Sequence, residues 1–110
     1  MITNFEEITA KLTERELNYL PLINITIEKH TKILPITTET LKKIFGLKPE
    51  RIRCIINALR SAGCPILAYS KGYYYSTDKS EIRLTIQSLE DRIRGISNAK
   101  CGLENYLKFN

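Results

Sequence analysis

Seven cations, Lys42, Lys43, Lys48, Arg51, Arg53, Arg60 and Lys71, stand within residues 41–71 against a single anion, Glu50. That segment carries a charge of +6 in a chain whose formal net charge is +5, so the rest of the sequence sums to −1. Charge spread evenly serves solubility, whereas an excess gathered in one segment is the footprint of a surface that meets a polyanion. Other chemistry finds little support. Cys54, Cys64 and Cys101 form no C-x-x-C pair, and His30 is the lone histidine, so neither a metal site nor a cofactor site is expected. There is no phosphate-cradling G-x-x-x-x-G-K-[ST] loop, no G-x-S-x-G elbow and no H-E-x-x-H. Adjacent carboxylates such as Glu6-Glu7 and Glu90-Asp91 splay apart on a helix instead of flanking one bond. The chain is read as a non-enzyme with no evident small-molecule ligand.

The elements that must position those cations are legible from caps and periodicity. Thr13-x-x-Glu16 has the spacing of a capping box and predicts a helix start. Pro21 is expected to open a second helix carrying Leu20, Ile23, Ile27, His30 and Leu34, although Ile23, Ile25 and Ile27 also alternate as in a strand. Thr37 and Thr38 offer capping hydroxyls, Leu41, Ile44 and Phe45 have helical spacing, and Gly46 suits a left-handed C-cap. Pro49 fits a first helical position, and Ile52, Ile55, Ile56 and Leu59 form an i, i+3, i+4, i+7 stripe that stops at Gly63. Opposite this stripe lie Glu50, Arg51, Cys54, Asn57, Ala58 and Ser61, with Arg53 and Arg60 on its flanks. Residues 65–69 and 73–76 are rich in β-formers and are separated by Ser70-Lys71-Gly72, which predicts a hairpin. Tyr73, Tyr74 and Tyr75 then divide between the core and a base-stacking role.

Asp78 and Glu81 open a final helix over 78–109, about 48 Å long at roughly 1.5 Å per residue. Ile82, Ile86, Leu89, Ile93, Ile96, Leu103 and Leu107 alternate four and three apart along it, with Lys100 interrupting one step. Such a stripe predicts a homodimer, held most strongly between Ile82 and Ile96, with Gly95 and Gly102 beside the seam and a bend or separate packing after Gly102. No stretch is apolar enough to span a bilayer, and residues 1–7 are polar and acidic where a signal peptide is basic and then apolar. A cytoplasmic protein without membrane contact is expected. At 110 residues the chain is sized for a single compact unit.

Helix, short helix, Gly-containing turn, longer basic helix and two-stranded hairpin follow one another in the order of the winged helix-turn-helix family, which this sequence resembles. The resemblance rests on Ile36-Thr37-Thr38-Glu39-Thr40-Leu41 to Gly46-Leu47, Ile52-Arg53 to Leu59-Arg60, Ala62-Gly63, and Ile66 to Gly72-Tyr73-Tyr74. Gly-Tyr-Tyr followed by a capped amphipathic helix is also similar to small winged-helix proteins of phages and prophages. The implied fold is mostly α with a small β-hairpin: a winged helix-turn-helix over 1–76 with an N-terminal extension, then a dimerising helix over 77–110.

The resemblance implies sequence-specific binding of double-stranded DNA, as in a small transcriptional regulator or replication factor. The helix over 49–62 would enter the major groove, with Arg51 giving two parallel hydrogen bonds to guanine. Asn57 would read adenine, while Glu50 either accepts from a cytosine amino group or orients Arg51. Arg53 and Arg60 flank this helix as further DNA contacts. Lys42, Lys43, Lys48 and Lys71, joined by the hydroxyls of Thr38, Thr40 and Ser70, would hold phosphates, with Lys71 at the hairpin tip. The alternative is a protein-interaction module on the same scaffold, which binds replication or transcription machinery through the final helix.

Overall fold

The computed structural model describes residues 12–109; the acidic segment 1–7 lies outside the described residues. The chain is mostly helical, with one small three-stranded antiparallel sheet and a long C-terminal helix. It divides into two units, Met1–Thr77 and Asp78–Asn110. The last helix has no buried residue of its own.

Helix α1, Glu14–Glu28, starts at a reciprocal capping box: the Glu16 backbone N–H donates to Thr13 Oγ1 and the Thr13 N–H donates to Glu16 Oε1. Pro21 lies inside this one helix and does not begin a second. A mid-helix proline costs about 3 kcal/mol. Ile23 and Ile27, one turn apart and both fully buried, each return about 1.5–3 kcal/mol by leaving water, which offsets that cost. Pro21 and Leu17, whose carbonyl loses its intrahelical donor, are both exposed, where solvent serves the orphaned oxygen. The helix ends at Glu28, so His30 and Leu34 are not on it. His30 Nδ1 instead lies 3.1 Å from the Leu34 carbonyl within the following loop.

Strand β1, Ile36–Thr37, leads directly into helix α2, Thr38–Phe45. Thr37 Oγ1 accepts from the Thr40 N–H, and Gly46 closes the helix at φ 64°, in the left-handed region that the sequence reading assigned to it. Helix α3, Pro49–Ser61, begins on its proline and is followed by Gly63 at φ 97°. Strands β2, Ile66–Tyr69, and β3, Gly72–Tyr75, form the expected hairpin around a two-residue turn, with Ser70 at φ 57°.

The sheet has a third member that periodicity does not predict. β1 pairs antiparallel with β3, Ile36 opposite Tyr73 and Thr37 opposite Gly72, giving the order β1-β3-β2. A two-residue strand has no alternation to read. Gly72, expected in the turn, is therefore a strand residue, and a Cβ there would lie 2.5 Å from the Ile36 carbonyl oxygen. Glycine is needed because two backbones meet at that point.

Ile23 and Ile27 from α1, Leu41 from α2, Ile52, Ile55 and Ile56 from α3, and Ile66 from β2 are the largest fully buried side chains. Tyr74 joins them as a buried residue while Tyr73 and Tyr75 are half-buried, so Tyr74 has no face for a base.

Helix α4, Lys79–Phe109, forms the second unit. Asp78 Oδ1 accepts from the backbone N–H groups of Ser80 and Glu81 and from the Ser80 hydroxyl, which holds the Asp78 carboxyl below its ordinary range. The helix runs unbroken through Gly95, Lys100 and Gly102, so the bend expected after Gly102 is absent. A helical glycine costs about 1 kcal/mol but keeps its backbone hydrogen bonds, and two of them do not break a helix of this length. At 100° per residue, Gly95 and Gly102 also face away from the apolar seam and not beside it. Among the described residues no helix is long and apolar enough to cross a membrane.

Candidate nucleic-acid interface

Helix α3 carries the basic segment, and the burial of Ile52, Ile55, Ile56 and Leu59 fixes which way its polar side chains point. The exposed line is Glu50, Arg53, Asn57 and Ser61, with Cys54 and Arg60 half-buried beside it. Arg53 is exposed on the flank of the apolar stripe, as the sequence reading has it, and Ala58, placed opposite the stripe by that reading, is buried.

Arg51, expected as a base contact, is paired with a carboxylate of the first helix. Its Nε donates to Glu16 Oε2 and its Nη2 to Glu16 Oε1, both at 2.6 Å. Glu16 is only 4 % exposed. The Arg51 guanidinium, acting against burial and assisted by the Thr13 N–H, lowers the Glu16 carboxyl to about 2. Glu16 in turn holds the Arg51 guanidinium above its ordinary value. This pairing engages two of the five guanidinium N–H donors and fixes the direction in which the side chain points. Glu50, offered as the residue that orients Arg51, is exposed, and Glu16 performs that role from the first turn of α1.

Arg60 is likewise structural, its Nε donating to the Ile66 carbonyl at 2.7 Å and tying the end of α3 to β2. Two of the expected phosphate-binding hydroxyls also serve the fold. Thr40 Oγ1 lies 2.8 Å from Thr37 Oγ1 at the start of α2, and Thr38 donates its backbone N–H and its hydroxyl to the Lys71 carbonyl. That last pair locks α2 to the hairpin turn.

Lys42 stands 4.0 Å from Glu39, a loose and exposed pair. Among the described residues no carboxylate pairs with Lys43, Lys48, Arg53 or Lys71, and all four are exposed. Arg53 from α3, Thr37, Thr38 and Glu39 from the start of α2, and Ala68, Ser70, Lys71, Gly72 and Tyr73 from the hairpin line one open concavity. Of the sequence-predicted residues, Thr38, Arg53, Ser70 and Lys71 come together there, while Lys42, Lys43, Lys48, Glu50 and Asn57 are not part of its lining. Thr37, Glu39 and Ala68 were not foreseen. Nothing in their types marks them; Thr37 and Glu39 are brought in by the pairing of β1 with β3, and Ala68 by its place opposite Tyr73 in the hairpin. All three cysteines are free thiols, Cys101 exposed and the other two half-buried.

No family model, curated protein or solved structure matches the chain, so its geometry alone carries the functional reading.

Proposed function

We propose that residues 12–77 form a winged helix-turn-helix domain that binds duplex DNA in a sequence-dependent way, with α3 in the major groove and the β2–β3 turn on the adjacent backbone. The observation that carries this reading is the exposure of Arg53, free of any described carboxylate, on the outer face of α3 and in one concavity with Ser70 and Lys71. In this arrangement Arg53 takes the base-reading task first assigned to Arg51, and Asn57, one turn further along the same exposed line, is its neighbour. Lys43, Lys48 and Lys71 act as phosphate contacts that set register without reading sequence.

Fluorescence anisotropy on a selected site and on random duplexes, across a salt series, tests the proposal. Four cations meeting phosphates and bases give a slope of about −4 in log affinity against log salt. Arg53→Ala is expected to cost about 1–3 kcal/mol on the selected site and much less on random DNA, whereas Lys71→Ala weakens every duplex and reduces the slope by about one. A flat salt response, or no measurable binding, refutes the proposal and leaves the protein-interaction reading.

A further inference from the structure

Helix α4 is left with an apolar seam that its own unit does not cover. Ile86, Ile93, Ile96, Leu103 and Leu107 are each 49–78 % exposed. Together with Ile82, Leu89 and Lys100 they occupy every a and d position from Ile82 to Leu107 in a heptad pattern: Ile86, Ile93, Lys100 and Leu107 at a, and Ile82, Leu89, Ile96 and Leu103 at d. The adjoining e positions hold Arg83, Glu90, Ser97 and Glu104. We propose that α4 pairs with a second copy of itself in an antiparallel coiled coil, in the single register that sets Ile86 against the partner's Leu103 and Ile93 against the partner's Ile96.

Charge decides the orientation. A parallel, in-register pair would bury Lys100 against the partner's Lys100, two like charges in an apolar seam. Its flanking contacts within the helix would match Thr85 with the partner's Glu90, Arg92 with the partner's Ser97, and Ala99 with the partner's Glu104, none of them an opposite-charge pair, and only the cap residue Asp78 would meet an opposite charge, the partner's Arg83. Turned antiparallel, Lys100 lies across from the partner's Leu89, and its ammonium can run along the seam edge to the partner's Glu90. Within the chain Lys100 Nζ is already 3.4 Å from Glu104. The same edge brings Glu104 opposite the partner's Arg83, so four charges alternate in sign, and the two-fold axis repeats them at the other end.

Charge also decides the register. Sliding one helix by a heptad in one direction sets Glu90 against the partner's Glu90. Sliding it in the other sets Glu90 against the partner's Glu104. Either shift also strips two apolar positions per chain of their partners. The register proposed here uses all eight seam positions and has no like-charge contact along the e edge.

Sedimentation equilibrium of the 110-residue chain and disulfide trapping test the proposal without DNA, so the outcome is separate from that of the DNA-binding reading. In a Cys101→Ser background, Ile86→Cys and Leu103→Cys chains carrying tags of different size are prepared singly and mixed under mild oxidant. The antiparallel register predicts a cross-link only in the mixture, between one chain of each kind. Self-cross-linking of either variant alone to the same extent, or a monomer at tens of micromolar, overturns it. Exposed charge reversals, which leave the seam intact, give the second reading: Arg83→Glu weakens association several-fold and Arg83→Glu/Glu104→Arg recovers most of it. Equal association of all three proteins would refute the register.

Discussion

On α3, Ile52, Ile55, Ile56 and Leu59 follow a three-and-four spacing and are 0–6 % exposed; on α4, Ile86, Ile93 and Ile96 belong to the same kind of spacing and are 49–68 % exposed. The periodicity of a helix states that a face wants cover, and says nothing about where the cover comes from. For α3 it is supplied from within the unit, by α1, α2 and the sheet. For α4 no such partner exists in its own unit, which is why a second copy is invoked. The two glycine classes repeat the lesson: Gly72 is forced by a neighbouring strand, while Gly95 and Gly102 have nothing within 4 Å of where a Cβ would stand.

The largest effect that would break this contrast is a cavity in the first unit. Ile55→Ala removes a fully buried side chain and is expected to cost about 2–5 kcal/mol. Ile93→Ala should leave the stability of that unit within about 0.5 kcal/mol and act on association instead. Urea unfolding followed by tyrosine fluorescence separates the two, since all tyrosines except Tyr106 lie in Met1–Thr77. A comparable loss for both variants would mean that the two regions share one core.

Next in size is the Glu16–Arg51 pair. Its folded carboxyl titrates at about 2 against an ordinary 4.5, with the Arg51 hydrogen bonds as the main cause. Because the folded value is depressed, the folded state favours the ionised carboxylate. The stabilisation, about 3 kcal/mol, is complete above the ordinary value and is lost as pH falls through 4.5 towards 2. Glu16→Gln should remove most of it at neutral pH and flatten the acid limb of a stability-against-pH curve. An unchanged acid limb would show that the pair contributes nothing net.

Gly72→Ala should follow, at about 1–3 kcal/mol, because the new methyl group meets the Ile36 backbone and pushes β1 off β3. Faster hydrogen exchange at the amides that join β1 and β3 is the expected signature. Smallest, and opposite in sign, are Gly95→Ala and Gly102→Ala. Each adds helix propensity of up to about 1 kcal/mol with no contact to offend, and should raise the helical signal of α4 on heating. Destabilisation by either would mean that a backbone approaches the helix at that glycine.

What the amino-acid sequence determines here is whatever depends on neighbours a few residues away. The Thr13 and Thr37 caps, the Gly46 stop, the Pro49 start, the hairpin and the long α4 are all of this kind, since a cap or a turn is a hydrogen bond that closes over three or four residues. The basic segment and its helix were equally legible, and so was the existence of a candidate site. Its membership was decided by contacts far apart in the chain. Arg51 is tied to Glu16, 35 residues away, because a buried carboxylate needs a counter-ion, and Arg53 shares a concavity with Ser70 and Lys71 because the hairpin lies beside it in the fold. Pro21 was carried inside a helix by the burial of Ile23 and Ile27, and Gly72 was drawn into a strand by Ile36. In each case the free energy of a long-range contact exceeds a local preference of about 1–3 kcal/mol, and the tertiary structure decides.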